Sequence, residues 1–242
     1  MGRRVLRSLI HADVDPQLID GSAVWLASMA ELLARCGCQV TVVLRDRRRA
    51  EAPLLRPLAG YPAITIVEPP AKRVRADPAL AARRAAAAKT IVRLDRAERF
   101  DLVVVRGMRI ATQLARTPQL AGRLWTYVTD LPQSVVDLDP EALADLDTIA
   151  GASRVVLCQT EELRSYLESI VPSSVGRTVL LPPVVPALDS PTASDDPTVP
   201  DRPSGPPDGT LRLVYTGKFA PLWKTLEMTR LPGRLATVGV RA

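Results

Sequence analysis

Two patterns of apolar and polar residues follow one another along most of the chain. Short runs rich in valine, isoleucine and leucine predict strands, and apolar residues spread over a helical length predict helices. The predicted strands lie at residues 3–10, 38–46, 63–69, 101–107, 122–132, 153–160 and 177–186. The predicted helices lie at residues 21–37, 77–100, 108–117, 139–152 and 161–171.

The order of these elements indicates the fold class. Strands that are apolar on both faces are typical of a parallel sheet, and right-handed crossovers place the connecting helices on both of its faces. The composition agrees, since 47% of residues are hydrophobic and only 4% are aromatic. We therefore predict an α/β fold with a doubly wound parallel sheet.

A change in composition divides the chain. Residues 183–208 are crowded with proline, serine and aspartate, which predicts an extended linker. Residues 1–182 precede it as one predicted domain, and 209–242 follow it as the start of a second, incomplete one. That second segment opens with the predicted strand GTLRLVYTG at 209–217.

The charge of the chain limits its partners. The net charge of +6 comes from arginine clusters such as RDRRR at 45–49. Without interleaved aromatic residues or a recognisable module, we do not expect nucleic acid as a partner, whereas contact with an anionic membrane surface stays open. No apolar run reaches the roughly 18 residues needed to span a bilayer, and the N-terminus does not resemble a secretion signal, so we expect a cytoplasmic protein.

Cysteine and histidine offer little for metal chemistry. The three cysteines, Cys36, Cys38 and Cys158, are interpreted as structural thiols, and His11 is the only histidine. The sequence therefore predicts no metal site. A dinucleotide-binding enzyme is also disfavoured, because no G-x-G-x-x-G motif follows the first strand.

The order of an α/β domain, a linker and a strand followed by TGKFAPLWK resembles the retaining glycosyltransferases of the GT-B fold, known as family 4 or group 1. The resemblance covers residues 3–228 and lies in pattern and order. It implies two Rossmann-like domains, the first mainly for the acceptor and the second for a nucleotide-diphosphate sugar. It also implies sugar transfer without an obligatory metal or other cofactor.

The resemblance assigns a donor-phosphate role to the loop before the first helix. In DPQLIDGSAVW, residues 15–25, Gly21 and Ser22 would lie beside the donor phosphates. Gly21 would let the backbone approach closely, and the N–H groups of the helix start would favour an anion. The alternative is that Asp20 or Ser22 only caps the helix.

Two further segments match the family pattern. Thr129 and Asp130 in YVTDLPQ follow a strand and are the candidate catalytic residues, with Asp130 orienting a sugar hydroxyl or else capping the turn. Gly217, Lys218 and Lys224 reproduce the spacing of a diphosphate-binding turn, with lysine in place of the usual arginine. These last three residues could also form an ordinary surface turn.

The chain ends before the acidic donor motif of the family. We therefore expect a truncated gene product or one half of a split enzyme, with little or no transferase activity unless a complementary chain supplies the rest of the donor domain. The alternative is a non-catalytic binding or partner subunit that keeps the Rossmann-like fold. Nothing in the residues indicates which sugar, nucleotide or acceptor is used.

Overall fold

A computed structural model describes residues 4–15, 17, 20–47, 52–69, 80–129, 131, 138–183 and 230–237. The chain divides into two compact units, Met1–Ala187 and Leu188–Ala242. In the second unit the described part contains one helix, Leu231–Thr237, with no buried residue. Most of the predicted linker 183–208 and of the predicted second domain 209–242 lies outside the described residues, so these boundaries stay predictions.

The first unit is built on a single parallel sheet. Its strands are β1 Arg7–Ala12, β2 Gln39–Val43, β3 Ile64–Val67, β4 Leu102–Arg106, β5 Leu124–Val128, β6 Val155–Cys158 and β7 Thr178–Leu180. Their spatial order is β3-β2-β1-β4-β5-β6-β7, and each neighbouring pair is parallel. The predicted α/β class and doubly wound parallel sheet are confirmed.

The helices of this unit are α1 Gly21–Arg35, α2 Leu80–Glu98, α3 Met108–Ala115, α4 Pro140–Ala152 and α5 Glu161–Ile170. Their ends follow local chemistry. The side chains of Asp20, Asp139 and Thr160 accept hydrogen bonds from backbone amides of the first turns of α1, α4 and α5. Gly37 follows α1 at φ +83, the left-handed conformation typical of a glycine after a helix.

Helices cover both faces of the sheet. Trp25, Leu26 and other residues of α1 pack with Ile10 and Val42 on one face. Residues of α2 and α3, among them Ile91 and Ile110, pack with alternate strand residues on the other face. Because side chains of a strand point to opposite faces in turn, Leu9 joins this second cluster while Ile10 joins the first.

The first strand differs from its predicted bounds of 3–10. It begins at Arg7 and continues to Ala12, because its register with β4 extends until Ala12 lies opposite Arg106. Val5 and Leu6 precede the strand and are about half exposed. This extension places the residues after β1 beside the end of β4, which is where the candidate site lies.

Candidate functional site

A cavity of about 250 Å³ lies at the carboxyl ends of β1, β4 and β5. The chain leaves β1 toward β2 on one side, while β4 lies on the other side, so the cavity occupies the point where the strand order reverses. Open α/β sheets bind their ligands at such points. Polar lining residues are Asp13, Ser22, Arg106, Thr126 and Thr129, and apolar ones include Val14, Met108 and Ile149.

Asp13 is held at this cavity by both its backbone and its side chain. Its amide donates to the carbonyl of Arg106 at 3.0 Å, which joins the ends of β1 and β4. Its carboxylate, 8% exposed, accepts from Arg45 Nη1 at 3.2 Å and from Arg84 Nε. Arg84 belongs to α2, so Asp13 also joins that helix to the carboxyl end of β1.

The charged cluster continues away from the cavity. Asp46 accepts from Arg45 Nε at 2.7 Å and from Arg83 Nη1 at 3.2 Å. The Arg45 and Asp46 side chains are only 11% and 14% exposed, so these ion pairs are better shielded from solvent than surface pairs. Opposite charges therefore alternate through this cluster and offset one another.

The backbone at Gly107 fits closely against Asp13. Gly107 has φ +115, and a Cβ placed on it would lie 2.6 Å from Asp13 Cβ. A side chain here would need both an unfavourable backbone conformation and a displacement of Asp13. At Gly21, by contrast, a Cβ would meet no atom of the described residues within 4 Å, and the expected approach of its backbone to donor phosphates stays a prediction.

Arg106, the last residue of β4, is oriented by aromatic rings. Trp25 and Tyr127 stack with ring centroids 4.9 Å apart and an interplanar angle of 21°. The guanidinium carbon of Arg106 lies 5.6 Å from each ring centroid, and its Nη1 donates to the carbonyl of Gly21 at 3.4 Å. These contacts fix a cation at the cavity wall.

His11, in β1, is completely buried near the charged cluster of Asp13, Arg45 and Asp46. Its Nδ1 lies 2.8 Å from the carbonyl of Val43, so Nδ1 carries the proton and donates it, while Nε2 meets no hydrogen-bond partner within the described part of the chain. Burial lowers the pKa of His11 to about 4, and the hydrogen bond to Val43 only partly opposes this. The imidazole is therefore neutral at physiological pH.

The structure brings two of the predicted site residues to the cavity. Ser22 in the first turn of α1 and Thr129 after β5 both line it. Asp20 caps α1, since its carboxylate accepts from the amides of Ser22 and Ala23 at 2.9 and 2.8 Å. Those two amides are thus engaged, and a phosphate role for this loop would rest on the Gly21 amide and the Ser22 hydroxyl.

Gly21 begins α1 but is not among the residues that line the cavity, and the four remaining predicted site residues lie outside the described residues. These are Asp130, Gly217, Lys218 and Lys224. Their proposed contacts with a sugar hydroxyl and a diphosphate stay predictions.

The described ranges offer neither a metal cluster nor a membrane-spanning helix. Within them, no group of three or more histidine, cysteine, aspartate or glutamate side chains is arranged to hold a metal ion. None of the helices in the same ranges combines the length and the apolar character required to cross a membrane.

Sequence reasoning missed Asp13 and Arg106. Both carried a recognisable signal, because each is a charged residue at the carboxyl end of an apolar strand, in IHAD and VVVRG. The stack of Trp25 on Tyr127 had no such signal, since the two residues are far apart in sequence and meet only through packing.

Comparison with known proteins gave similarity in structure but not in sequence. No protein-family profile and no curated protein sequence matches the chain. Sucrose-phosphate synthase from Thermosynechococcus elongatus matches with a TM-score of 0.55 and 14% identity, covering 74% of this chain and 48% of that chain. A second structure of that enzyme matches with a TM-score of 0.51 and 15% identity, covering 72% of this chain and 88% of that chain.

A third similar structure is Phytolacca americana UGT2 complexed with UDP-2-fluoro-glucose and pterostilbene. It matches with a TM-score of 0.52 and 13% identity, over 76% of this chain and 56% of that one. The chain thus spans about half the length of the first sucrose-phosphate synthase chain and of the UGT2 chain. At these identities the similarity shows the fold, and the first unit has the Rossmann-like α/β fold of GT-B glycosyltransferases.

Proposed function

We propose that the first unit is the acceptor-side domain of a glycosyltransferase that uses a nucleotide-diphosphate sugar. The observation that carries this proposal is the cavity at the carboxyl ends of β1, β4 and β5, lined by Ser22 and Thr129. UGT2, whose fold is similar, is complexed with a UDP-sugar and with pterostilbene. The likeness in fold supports the same class of donor for this chain.

The cavity offers groups that suit a sugar. Hydroxyl groups both donate and accept hydrogen bonds, so Ser22 and Thr129 can pair with sugar hydroxyls of either orientation. Val14, Met108 and Ile149 supply apolar surface between these polar groups, as is usual in small-molecule sites. In the proposed reaction Thr129 and Asp130 position the reacting sugar, with Asp130 accepting a hydrogen bond from one of its hydroxyls.

The donor diphosphate needs positive charge because negative charge develops on it as the glycosidic bond breaks. We assign this role to Lys218 and Lys224, with Gly217 allowing the turn and with Gly21 and Ser22 approaching the phosphates from the first helix. Lysine supplies a point charge without the two-pronged geometry of arginine.

Isothermal titration of the full chain with UDP-glucose, UDP and uridine tests the proposal. We expect UDP-glucose and UDP to bind and uridine to bind much more weakly, because the phosphates carry the negative charge that the cationic side chains attract. Thr129→Val and Ser22→Ala should each lower the affinity for UDP-glucose about fivefold, because each removes one hydrogen bond.

The matched controls are Ser169→Ala on α5 and Thr148→Val on α4. Both side chains donate to carbonyls of their own helices and lie outside the cavity lining. Their UDP-glucose affinities should equal that of the wild type. Absence of UDP-glucose and UDP binding would reject the proposed donor and favour a non-catalytic partner subunit.

A further inference from the structure

We propose that Arg106 binds a phosphate group of the substrate in the cavity at the carboxyl ends of β1, β4 and β5. The inference rests on the proposed function, because it names a chemical feature of the ligand that the same site would take. Arg106 is the one cationic side chain among the cavity-lining residues of the described ranges. It follows four apolar strand residues, so its position at the edge is set by the sheet itself.

The side chain is oriented before any ligand arrives. Trp25 and Tyr127 are 2% and 3% exposed, and their stacked rings form a fixed surface for the guanidinium. The equal distance of 5.6 Å to both centroids, with the hydrogen bond to Gly21, restricts the rotation of a normally flexible side chain. Preorganisation of this kind removes part of the entropy cost of binding.

A guanidinium in this setting matches phosphate chemistry. It presents five N–H donors in a planar arrangement that can pair with two phosphate oxygens at once. The cation–π contacts with Trp25 and Tyr127 draw on the charge of the guanidinium and not on an oxygen acceptor, so they are compatible with such pairing. The hydroxyls of Ser22 and Thr129 at the same cavity can donate to further phosphate oxygens.

The one carboxylate among the described residues that line the cavity does not work against this role. Asp13 lines the same cavity, but two guanidinium groups, those of Arg45 and Arg84, contact its two oxygens. The negative charge of Asp13 is therefore offset at its own position. Its backbone also fixes the end of β4, through the 3.0 Å hydrogen bond from its amide to the Arg106 carbonyl.

The size of the cavity limits what it holds. About 250 Å³ is below the 300–1,000 Å³ usual for sites that enclose a whole small ligand. The cavity therefore accepts one part of a substrate, such as a phosphate with an adjoining sugar ring. That phosphate belongs either to the diphosphate of the donor or to a phosphate ester on the acceptor.

Titration of the full chain with inorganic phosphate, glucose 6-phosphate, glucose, UDP and uridine tests the inference. We expect Arg106→Gln to lower the affinity for at least one phosphate-bearing probe about tenfold or more. Arg106→Lys should lower it less, because lysine keeps the charge but not the paired donors. Affinities for glucose and uridine should not change. The control is Arg109→Gln, the same change of charge on an arginine that is 63% exposed and lies outside the cavity lining.

The arms of the experiment separate the two sources. Loss confined to glucose 6-phosphate and inorganic phosphate supports a phosphorylated acceptor, and loss of UDP affinity supports the donor diphosphate. Unchanged affinity for every phosphate probe in both Arg106 variants overturns the inference even if UDP-glucose binds. Should Arg106→Gln fail to give the wild-type circular dichroism spectrum, Arg106→Lys decides the result. Absence of UDP and UDP-glucose binding with intact Arg106-dependent phosphate binding would instead reject only the proposed donor.

Discussion

Asp13 and Gly107 approach so closely that a Cβ on Gly107 would lie 2.6 Å from the Cβ of Asp13. This contact joins the loops that follow β1 and β4, and the cavity lies between them. The backbone of Gly107, at φ +115, is itself unfavourable for any residue with a side chain. Glycine at this position is therefore a requirement of the site geometry.

The first prediction concerns Gly107→Ala. We expect it to lower the free energy of unfolding by more than about 3 kcal/mol, since a strained backbone costs about 1–3 kcal/mol and the clash adds to it. Urea denaturation measures the loss. Gly122→Ala is the matched control, because Gly122 has φ +73 but an added Cβ would meet no described atom within 4 Å, and it should lose only about 1 kcal/mol. Equal losses would show that the contact with Asp13 has no energetic weight.

The second prediction concerns the buried pair of Asp95 and Arg123. Arg123 Nη1 and Nη2 donate to the two Asp95 oxygens at 2.6 and 2.9 Å, and the Asp95 side chain is 3% exposed. We expect Asp95→Asn to destabilise the fold by about 3–5 kcal/mol, because Arg123 would keep a poorly solvated charge. Arg4→Gln, which removes an ion-pair partner that is 77% exposed, should change unfolding by less than about 1 kcal/mol.

The pair of Asp95 and Arg123 also makes the stability of the fold depend on pH. Burial opposes the charged form of Asp95, but hydrogen bonds from Arg123 and the Phe100 amide outweigh it and lower its pKa. A lowered carboxylate pKa contributes stability above the usual value of about 4, and this contribution is lost as the pH falls further. The wild type should therefore lose stability below about pH 4 more steeply than Asp95→Asn. A parallel loss in both proteins would contradict this assignment.

The third prediction concerns His11. Its pKa is about 4 in the fold and about 6.5 when unfolded, so the unfolded state binds more protons between these values. The free energy of unfolding should fall by about 2 kcal/mol between about pH 7 and pH 5 from this residue alone. His11→Asn keeps a donor for the Val43 carbonyl and removes the titration, so its stability should be flatter over this range. Chemical denaturation at about pH 7, 6 and 5 measures the difference, and identical slopes would reject the assignment.

The fourth prediction concerns the three cysteines. Burial raises the pKa of Cys158 to about 11 and also raises that of Cys38, while Cys36 is exposed after α1. The thiolate is the reactive form, so iodoacetamide at about pH 8 should modify Cys36 first in the native protein. Mass spectrometry of the labelled peptides measures this, and all three should react in urea. Native labelling of Cys158 at the rate of Cys36 would contradict the burial of its thiol.

The sequence by itself determined the class and order of the first unit. Valine-rich runs and apolar residues spread over helical lengths are local signals, and they predicted the strands and helices of this unit, with Asp20 as one of two candidate caps of the first helix. The resemblance to the GT-B family singled out Ser22 and Thr129 as well; both line the cavity, and their roles toward a ligand stay predictions.

Only the tertiary structure decided how the site is built. The order β3-β2-β1-β4 brings Asp13 to Gly107, and the packing of α1 on the sheet brings Trp25 to Tyr127 and both rings to Arg106. The contacts at the cavity join residues up to about a hundred positions apart, and local patterns carry no information on which distant side chains will meet, because that depends on how the whole core packs.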